Sequence, residues 1–482
     1  MAVSIDQKPL YTTFPVGQQV VFSISLDSIV ANMFKVKFVA QVFISNKNST
    51  LTSAGKKIGT FKTTPNNKGV GIFDFSSVLE TFLKPDHQGS TFGNGSRYKT
   101  TETTHPIHLI DQNAVSENSI RFLTFQFKIE YATDADGAVG APDNQANSDV
   151  YKIFNGVLQY DDVLTLGAFD SSGILVAGNN YGYNIDRFIL NDTSSLGKFL
   201  SNAPTTQYAR LTDYGTLPFL NFLPGGAADR VNALTYKCYD SSGVVIPTYG
   251  TFTIPTAWTQ GGSTDGSLNY INSRLMYSGA FPANLRNKTT AFQNVVALGT
   301  LDHYTVQAKD VSNVAVSELY TIKIICPNER GYEGIRLTWL NQWGVWDYYT
   351  FNMKSTRALT TNRTSYTQLG GTWNESDFKV AGYKGGKKNF RVNSTEKITL
   401  NTDFVTEAEG VWFEELINST EVYILNGFDD TEVAPYPTIT NKYVEPVVLT
   451  TSSYVKKTIA NDKLMQYTIE IEKSKMKRTQ SV

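Results

Sequence analysis

The chain has 482 residues and a net charge of −1; 41% of its residues are hydrophobic and only 18% are charged. This length allows roughly two to four domains with packed cores, and the balanced charge provides no basic excess for electrostatic binding of nucleic acid. Its 26 tyrosines and 28 phenylalanines, with abundant threonine, serine and asparagine, favour β-structure.

Cysteine content and hydropathy bear on the compartment in which the protein is made and on whether it is secreted or inserted in a membrane. Cys238 and Cys326 are too few for a disulfide scaffold and are expected to be reduced thiols of a protein made in a cytoplasm, although their pairing stays open. Residues 1–14 contain no apolar segment typical of a secretory signal. No stretch approaches the length of a membrane span, so we expect no membrane partner.

Two segments of the first third place an apolar side chain at every second position. They are residues 36–44 and 123–131, and a period of two over this length predicts half-buried strands. The Gly/Ala/Asp/Asn-rich residues 132–149 that follow are typical of a loop. We predict an N-terminal β domain with one short helix over residues 1–163.

The short helix of this domain is predicted within residues 74–86. Ser77 and Glu80 have capping-box spacing, and Pro85 is expected to end the helix. One helical face is apolar and consists of Val78, Leu79, Phe82 and Leu83.

A short motif recurs in the middle third. "FDSSGILV" (169–176) and "YDSSGVVI" (239–246) each indicate a strand, an Asp-Ser-Ser-Gly turn and a second strand, and "AKDVSNVAV" (308–316) is a looser third copy. Short strands and turns continue through this region. They predict an immunoglobulin-like or fibronectin-like β-sandwich over residues 164–326.

An aromatic stretch, "LTWLNQWGVWDYYTF" (337–351), opens the last third. A ligand-stacking cleft, an amphipathic helix and a hairpin that feeds a core are the competing interpretations. The three tryptophans have helical spacing, but Asn341 and Gly344 interrupt it, so we favour strand, turn and strand. The candidate core or interface residues are Trp339, Trp343, Trp346, Tyr348, Tyr349 and, further along, Trp412.

A polar segment, residues 354–395, precedes a strand–helix–strand passage. Thr406 and Glu409 have capping-box spacing, so a helix is predicted over about 406–418. Its apolar stripe is expected to consist of Val411, Trp412 and Leu416. A strand is predicted on each side of the helix, and a further strand near the C-terminus.

No segment carries a convincing catalytic or ligand-binding motif. The possible sites are "HPIH" (105–108) for zinc, "DADG" (134–137) for a cation, "AGYKGGKKNF" (381–390) for phosphate and "GGSTDG" (261–266) for a nucleophile. Each departs from the pattern that its chemistry requires. We therefore expect no enzyme, no catalytic residue, no bound metal and no cofactor.

Several blocks of the sequence resemble virion structural proteins of tailed bacteriophages. Together they cover about half of the chain, and they are "KGVGIFDFSSVLETFL" (68–83), "SDVYKIFNGVLQY" (148–160), "YEGIRLTWLNQWGVWDYYTF" (332–351), "EKITLNTDFVTEAEGVWFEELINSTEVYIL" (396–425) and "DKLMQYTIEIEKSKMKRTQ" (462–480). The resemblance implies a tail or tail-adaptor protein, of ring or baseplate-hub type. It also implies a tail-tube-like C-terminal β domain over residues 327–482.

These observations predict a mainly β, multi-domain chain of tandem β-sandwiches with a few short helices. The function implied is a structural component of the virion tail, made in the host cytoplasm, whose partners are its own copies and neighbouring tail proteins. The loops 132–149 and 354–395 are expected to dock neighbours. The alternatives are a host-glycan adhesin, suggested by "GNNYGYN" (178–184), and a tail-borne glycan hydrolase with a carboxylate pair.

Overall fold

The fold is known from a computed structural model. The residues that it describes are 3–26, 33–45, 55–91, 104–110, 113–116, 118–159, 162, 184–190, 196–221, 231–256, 274–325, 331–426, 444–453, 455 and 465–478. The chain divides into two compact units, one formed by residues 1–324, 340–347 and 428–440 and the other by residues 325–339, 348–427 and 441–482. The first unit spans both the predicted N-terminal domain and the predicted middle sandwich, whose separation at residue 163 stays a prediction.

Strands dominate the described part of the chain, with 50% of those residues in strands and 11% in helices. The mainly β fold class predicted from composition is confirmed. No helix among the described residues is long and apolar enough to cross a membrane.

The described residues before 325 form nineteen strands, three α-helices and two 3₁₀-helices, Ile107–Leu109 and Asp186–Phe188. The strands are β1 (Val3–Gln7), β2 (Thr13–Gly17), β3 (Val21–Leu26), β4 (Phe34–Ser45), β5 (Lys56–Thr63), β6 (Gly71–Asp74), β7 (Gln88–Thr91), β8 (Thr104–Pro106), β9 (Asn113–Val115), β10 (Ile120–Ala132), β11 (Asp143–Asn147), β12 (Tyr151–Val157), β13 (Thr206–Ala209), β14 (Thr216–Asn221), β15 (Ala233–Tyr239), β16 (Thr251–Pro255), β17 (Arg274–Gly279), β18 (His303–Lys309) and β19 (Tyr320–Ile324). The helices are α1 (Ser76–Glu80), α2 (Pro282–Lys288) and α3 (Thr290–Ala297).

The remaining elements lie after residue 330. They are β20 (Ile335–Leu340), β21 (Trp346–Phe351), β22 (Thr356–Gln368), β23 (Gly386–Asn401), α4 (Glu407–Asn418), β24 (Val422–Leu425), β25 (Val444–Leu449), β26 (Thr468–Lys473) and β27 (Lys477–Arg478).

The strands before residue 325 form four sheets. Their orders are β1-β3-β6, β2-β12-β10-β4-β5 with β11 beside β10, β13-β19-β18-β15-β16, and β14-β17-β9-β7-β8. Most neighbouring strands are antiparallel, whereas β2 and β12, and β13 and β19, are parallel. The last of the four sheets combines strands from both sides of residue 163.

The two apolar alternations of the first third lie opposite each other. The strands β4 and β10 pair so that Phe38 faces Ile129, and Val42 faces Phe125. Phe22 of β3 packs on this face, with ring centroids 4.6 Å from Phe125. Two sheets therefore enclose one aromatic core, as in a β-sandwich, and the predicted strands 36–44 and 123–131 are confirmed.

Two predictions in this region need correction. The presumed loop 132–149 contains β11, which pairs with β10. The helix α1 has Phe75 at its N-cap, without a side-chain cap, so the capping box of Ser77 and Glu80 is wrong. The helix begins earlier because Asp74 accepts a hydrogen bond from the Ser76 amide.

One five-residue turn recurs at residues 66–70, 240–244, 310–314 and 341–345. The first side chain, an Asn or Asp, accepts the amide of the fifth residue at 3.1, 2.9, 2.7 and 3.2 Å in chain order. The fourth residue has a positive φ and is Gly69, Gly243, Asn313 or Gly344. The Asp-Ser-Ser-Gly turn and its looser copy are thus confirmed as the same turn, and the copy at 169–176 lies outside the described residues.

The same turn joins β20 to β21 in the aromatic stretch. Asn341 accepts amides from Trp343 and Val345, and Gly344 donates to its carbonyl at 3.0 Å. The strand–turn–strand prediction for residues 339–351 is therefore confirmed, and the helix is excluded.

A single sheet of eight strands occupies the region after residue 330. Its order is β21-β20-β24-β25-β26-β23-β22, with β27 beside β23. The helix α4 begins with the predicted capping box of Thr406 and Glu409. Trp412 is buried, and its ring lies tilted against Trp339 with centroids 4.9 Å apart. Val411 is 53% exposed and therefore does not belong to the buried stripe. Phe413 takes that place.

Candidate interaction surface

The predicted aromatic candidates lie inside the protein. Trp339, Trp343, Trp346, Tyr348 and Trp412 are at most 4% exposed, and Tyr349 is half-buried. They therefore provide core packing in the isolated chain and no open stacking cleft for a ligand.

These aromatic residues serve two different cores. In the first unit, Trp343 packs 4.3 Å from Phe188, and Trp346 donates its indole N–H to the Asp86 carbonyl at 2.8 Å. In the second unit, the Tyr349 ring lies 4.8 Å from Phe413. The density of tryptophan in one short stretch follows from its contribution to both cores.

The most exposed ordered feature is a long hairpin, which we call the arm and define as residues 356–401. Its strands β22 and β23 pair over thirteen positions from Thr356↔Thr399 to Gln368↔Gly386. The stretch 354–395 was predicted as a loop, and that prediction is wrong. It carries little apolar alternation because most of its side chains face solvent on both sides of the ribbon.

An ion-pair network holds the base of the arm. Arg357 donates to Glu333 at 2.8 Å and lies 3.6 Å from Glu396, which also accepts from Lys477 at 3.0 Å. The Lys477 hydrogen bond, aided by other nearby cations, holds the pKa of Glu396 below its ordinary value of 4.5. Charge therefore fixes the arm where it leaves the sheet.

The outer half of the arm, residues 360–392, exposes a cluster of large apolar side chains. The exposed fractions are 67% for Leu369, 65% for Trp373, 61% for Phe378, 87% for Val380, 76% for Tyr383 and 49% for Phe390. Six such residues within 22 positions exceed the isolated exposed side chains that are normal on a protein surface.

The connection between the two strands is itself ordered. The Thr372 amide donates to the Lys379 carbonyl at 3.1 Å, and the Lys379 amide donates to the Thr372 hydroxyl at 2.8 Å. Trp373 donates its indole N–H to Gly370 at 2.7 Å and meets the Phe378 ring edge-on at 5.7 Å. The exposed rings are thus held in place in the isolated chain, and side chains fixed in this way lose less entropy in any contact they make.

The outer edge of β22 is a second feature of the arm. β22 ends the strand order, and among the described residues it pairs only with β23. Its thirteen residues carry only two charges, Arg357 and Arg363. A long edge strand with few charges can accept another strand.

The residues that the sequence offered as candidate metal, phosphate or thiol sites do not form a binding site among the described residues. Among the described residues, no group of three or more His, Cys, Asp or Glu side chains could hold a metal ion. His108 of the "HPIH" segment is buried, and the Gly/Lys segment 381–390 forms the arm's turn and the start of β23. Cys238 is a buried free thiol whose pKa is raised to about 12 by burial, while Cys326 lies outside the described residues.

The adhesin interpretation depends on a segment that is mostly outside the structure. Of residues 178–184, only Asn184 belongs to the described part of the chain. Sequence reasoning missed the arm, although its five threonines in β22 and the paired glycines 370–371 and 385–386 were signals for a ribbon and its turn.

Comparison of the chain with protein-family models and with curated protein sequences gave no match.

Proposed function

We propose that the protein is a structural component of a bacteriophage tail, made in the host cytoplasm, where its copies and neighbouring tail proteins form a ring or adaptor. The observation that carries the proposal is the arm, an ordered ribbon whose apolar side chains are exposed in the isolated chain. A two-stranded ribbon alone is marginally stable in water. A protein partner that covers its rings would stabilise it.

The sequence blocks that resemble tail proteins support the same function, because they include the aromatic hairpin and the strand leading into α4. Exposed aromatic side chains on a preformed ribbon are suited to protein–protein contact, where buried rings provide much of the binding energy. This geometry favours a role in protein–protein assembly over a role in catalysis.

The test compares particles that carry altered arms. The double variant Trp373→Ser with Phe378→Ser removes two exposed rings and leaves the described core intact. Virions grown with it are expected to lose the protein or their tails, as measured by mass spectrometry and electron microscopy of purified particles.

The matched control is Val244→Ser with Leu319→Ser, which removes two apolar side chains that are 59% and 50% exposed outside the arm. We expect this control to assemble normally. Normal tails with the arm variant, or absence of the wild-type chain from purified particles, would contradict the proposal.

A further inference from the structure

The outer half of the arm is strongly basic as well as apolar. Residues 360–392 contain six basic side chains and two acidic ones, a net charge of +4 in a chain whose total is −1. Lys384 lies 5.9 Å over the Tyr383 ring, so cation and aromatic surface are presented together. A partner surface complementary to the arm would combine acidic side chains with a small apolar area.

The same unit carries a surface of that kind on α4. Residues 402–421 contain six acidic side chains and no Lys or Arg; one of the six, Glu409, is buried in the capping box and does not contribute to the surface. The helix turns its buried residues, such as Trp412 and Leu416, inward. Its opposite face combines the exposed Glu407, Val411 and Asn418 with the partly exposed Glu415 at helical spacing.

We infer that the arm of one copy docks on the outer face of α4 of a second copy, in a head-to-tail contact. Basic and aromatic groups on the arm meet glutamates and the exposed Val411 on the helix. Opposite charge at such an interface directs encounter and fixes register. One contact that joins two different surfaces of the same chain leads to a closed ring when the rotation closes.

The two surfaces do not cover each other within one copy, since the outer apolar side chains of the arm are 49–87% exposed and Val411 is 53% exposed. The strand β23 is buried at Ile398 and Leu400 and continues outward to Gly386. At the rise of an extended strand, its start lies roughly 45 Å from Leu400. α4 begins only seven residues after Leu400. Because both surfaces stay exposed in one copy, we assign the contact to a second molecule.

This inference deepens the assembly proposed above and rests on it for its setting in the tail. Two double variants test it in the purified full chain. The arm variant is Lys384→Glu with Lys387→Glu, and the face variant is Glu407→Lys with Glu415→Lys. The control is Lys57→Glu with Lys475→Glu, which makes the same change in net charge as the arm variant at exposed positions outside residues 360–392 and 402–421.

Self-association is measured by sedimentation at low salt, with circular dichroism as the check that each variant is folded. Each variant alone should associate at least roughly tenfold more weakly than wild type, because like charges then face each other. The control should match wild type. An equal mixture of arm and face variants should regain wild-type association, because every contact in an alternating ring again pairs opposite charges.

Three results would overturn the inference. They are a wild-type chain that stays monomeric at low salt, arm or face variants that associate as strongly as wild type, and a mixture that fails to regain association. If virions still contain the protein in the tail under any of these results, the tail function stands and only the head-to-tail contact is refuted.

Discussion

The turn at Gly344 offers a sharp test of the packing in the first unit. Gly344 and Gly243 occupy the same position of the same turn, with φ of +70° and +75°. A Cβ at Gly344 would lie 1.2 Å from the Asn155 carbonyl oxygen, whereas a Cβ at Gly243 would meet no described heavy atom within 4 Å. Alanine at either site therefore imposes similar backbone strain, but only Gly344→Ala adds a collision.

The difference in free energy of unfolding follows from these distances. Gly243→Ala should cost about 1–2 kcal/mol, the penalty of a left-handed conformation for a residue with a Cβ. Gly344→Ala must also separate two backbones, which strains the 2.7 Å hydrogen bond from the Val157 amide to the Gln342 carbonyl. We expect about 3–6 kcal/mol in total, from strain, overpacking and weakened hydrogen bonds.

Urea unfolding followed by circular dichroism measures both variants against wild type. Asn313→Gly is a further control, because it keeps a residue tolerant of positive φ, and should stay within about 0.5 kcal/mol of wild type. If Gly344→Ala costs no more than Gly243→Ala, the close approach to Asn155 is not a feature of the folded protein and the reasoning fails.

Three further predictions concern the second unit. Trp412→Ala should destabilise this unit by about 3–5 kcal/mol in urea unfolding, because it leaves a cavity at a buried site. Val411→Ala, on the exposed face, should change the free energy of unfolding little, and equal effects of the two variants would contradict the packing of α4. Thr406→Ala should cost about 1 kcal/mol through loss of the N-cap, and a neutral result would show that the capping box is dispensable. Glu396→Gln should be less stable than wild type above pH 4.5, and the difference should shrink as the pH falls through the lowered pKa of Glu396; a difference that is constant with pH would exclude the ion pair as its cause.

Sequence reasoning succeeded for segments with one covered face and for several local hydrogen-bonding signatures, but it failed for the capping box of Ser77 and Glu80, where Phe75 is the N-cap. The alternation at 36–44 and 123–131 gave strands, since each packs one face on the aromatic core. The turn residues Asn341 and Gly344 and the capping box at Thr406 are recognisable because each element depends on neighbours within five positions.

The arm could not be recognised in this way because its outer half has no covered face and so no hydrophobic period. The helical stripe was misjudged at Val411 because adjacent apolar residues on a helix lie 100° apart, and only packing decides which one is buried. Pairings such as β9 with β17 join residues more than 150 positions apart. No local pattern encodes such a partner choice.

The central claim is that this chain builds part of a phage tail through contacts made by its arm. A reconstruction of the intact particle at a resolution that shows side chains tests it most directly. The account predicts a ring of copies around the tail axis, six-fold or a multiple of three as the tail resemblance implies, with Trp373 and Phe378 buried against a neighbour. Separate trimeric spikes, a position on the capsid shell, or arms that remain bare in solvent would contradict it.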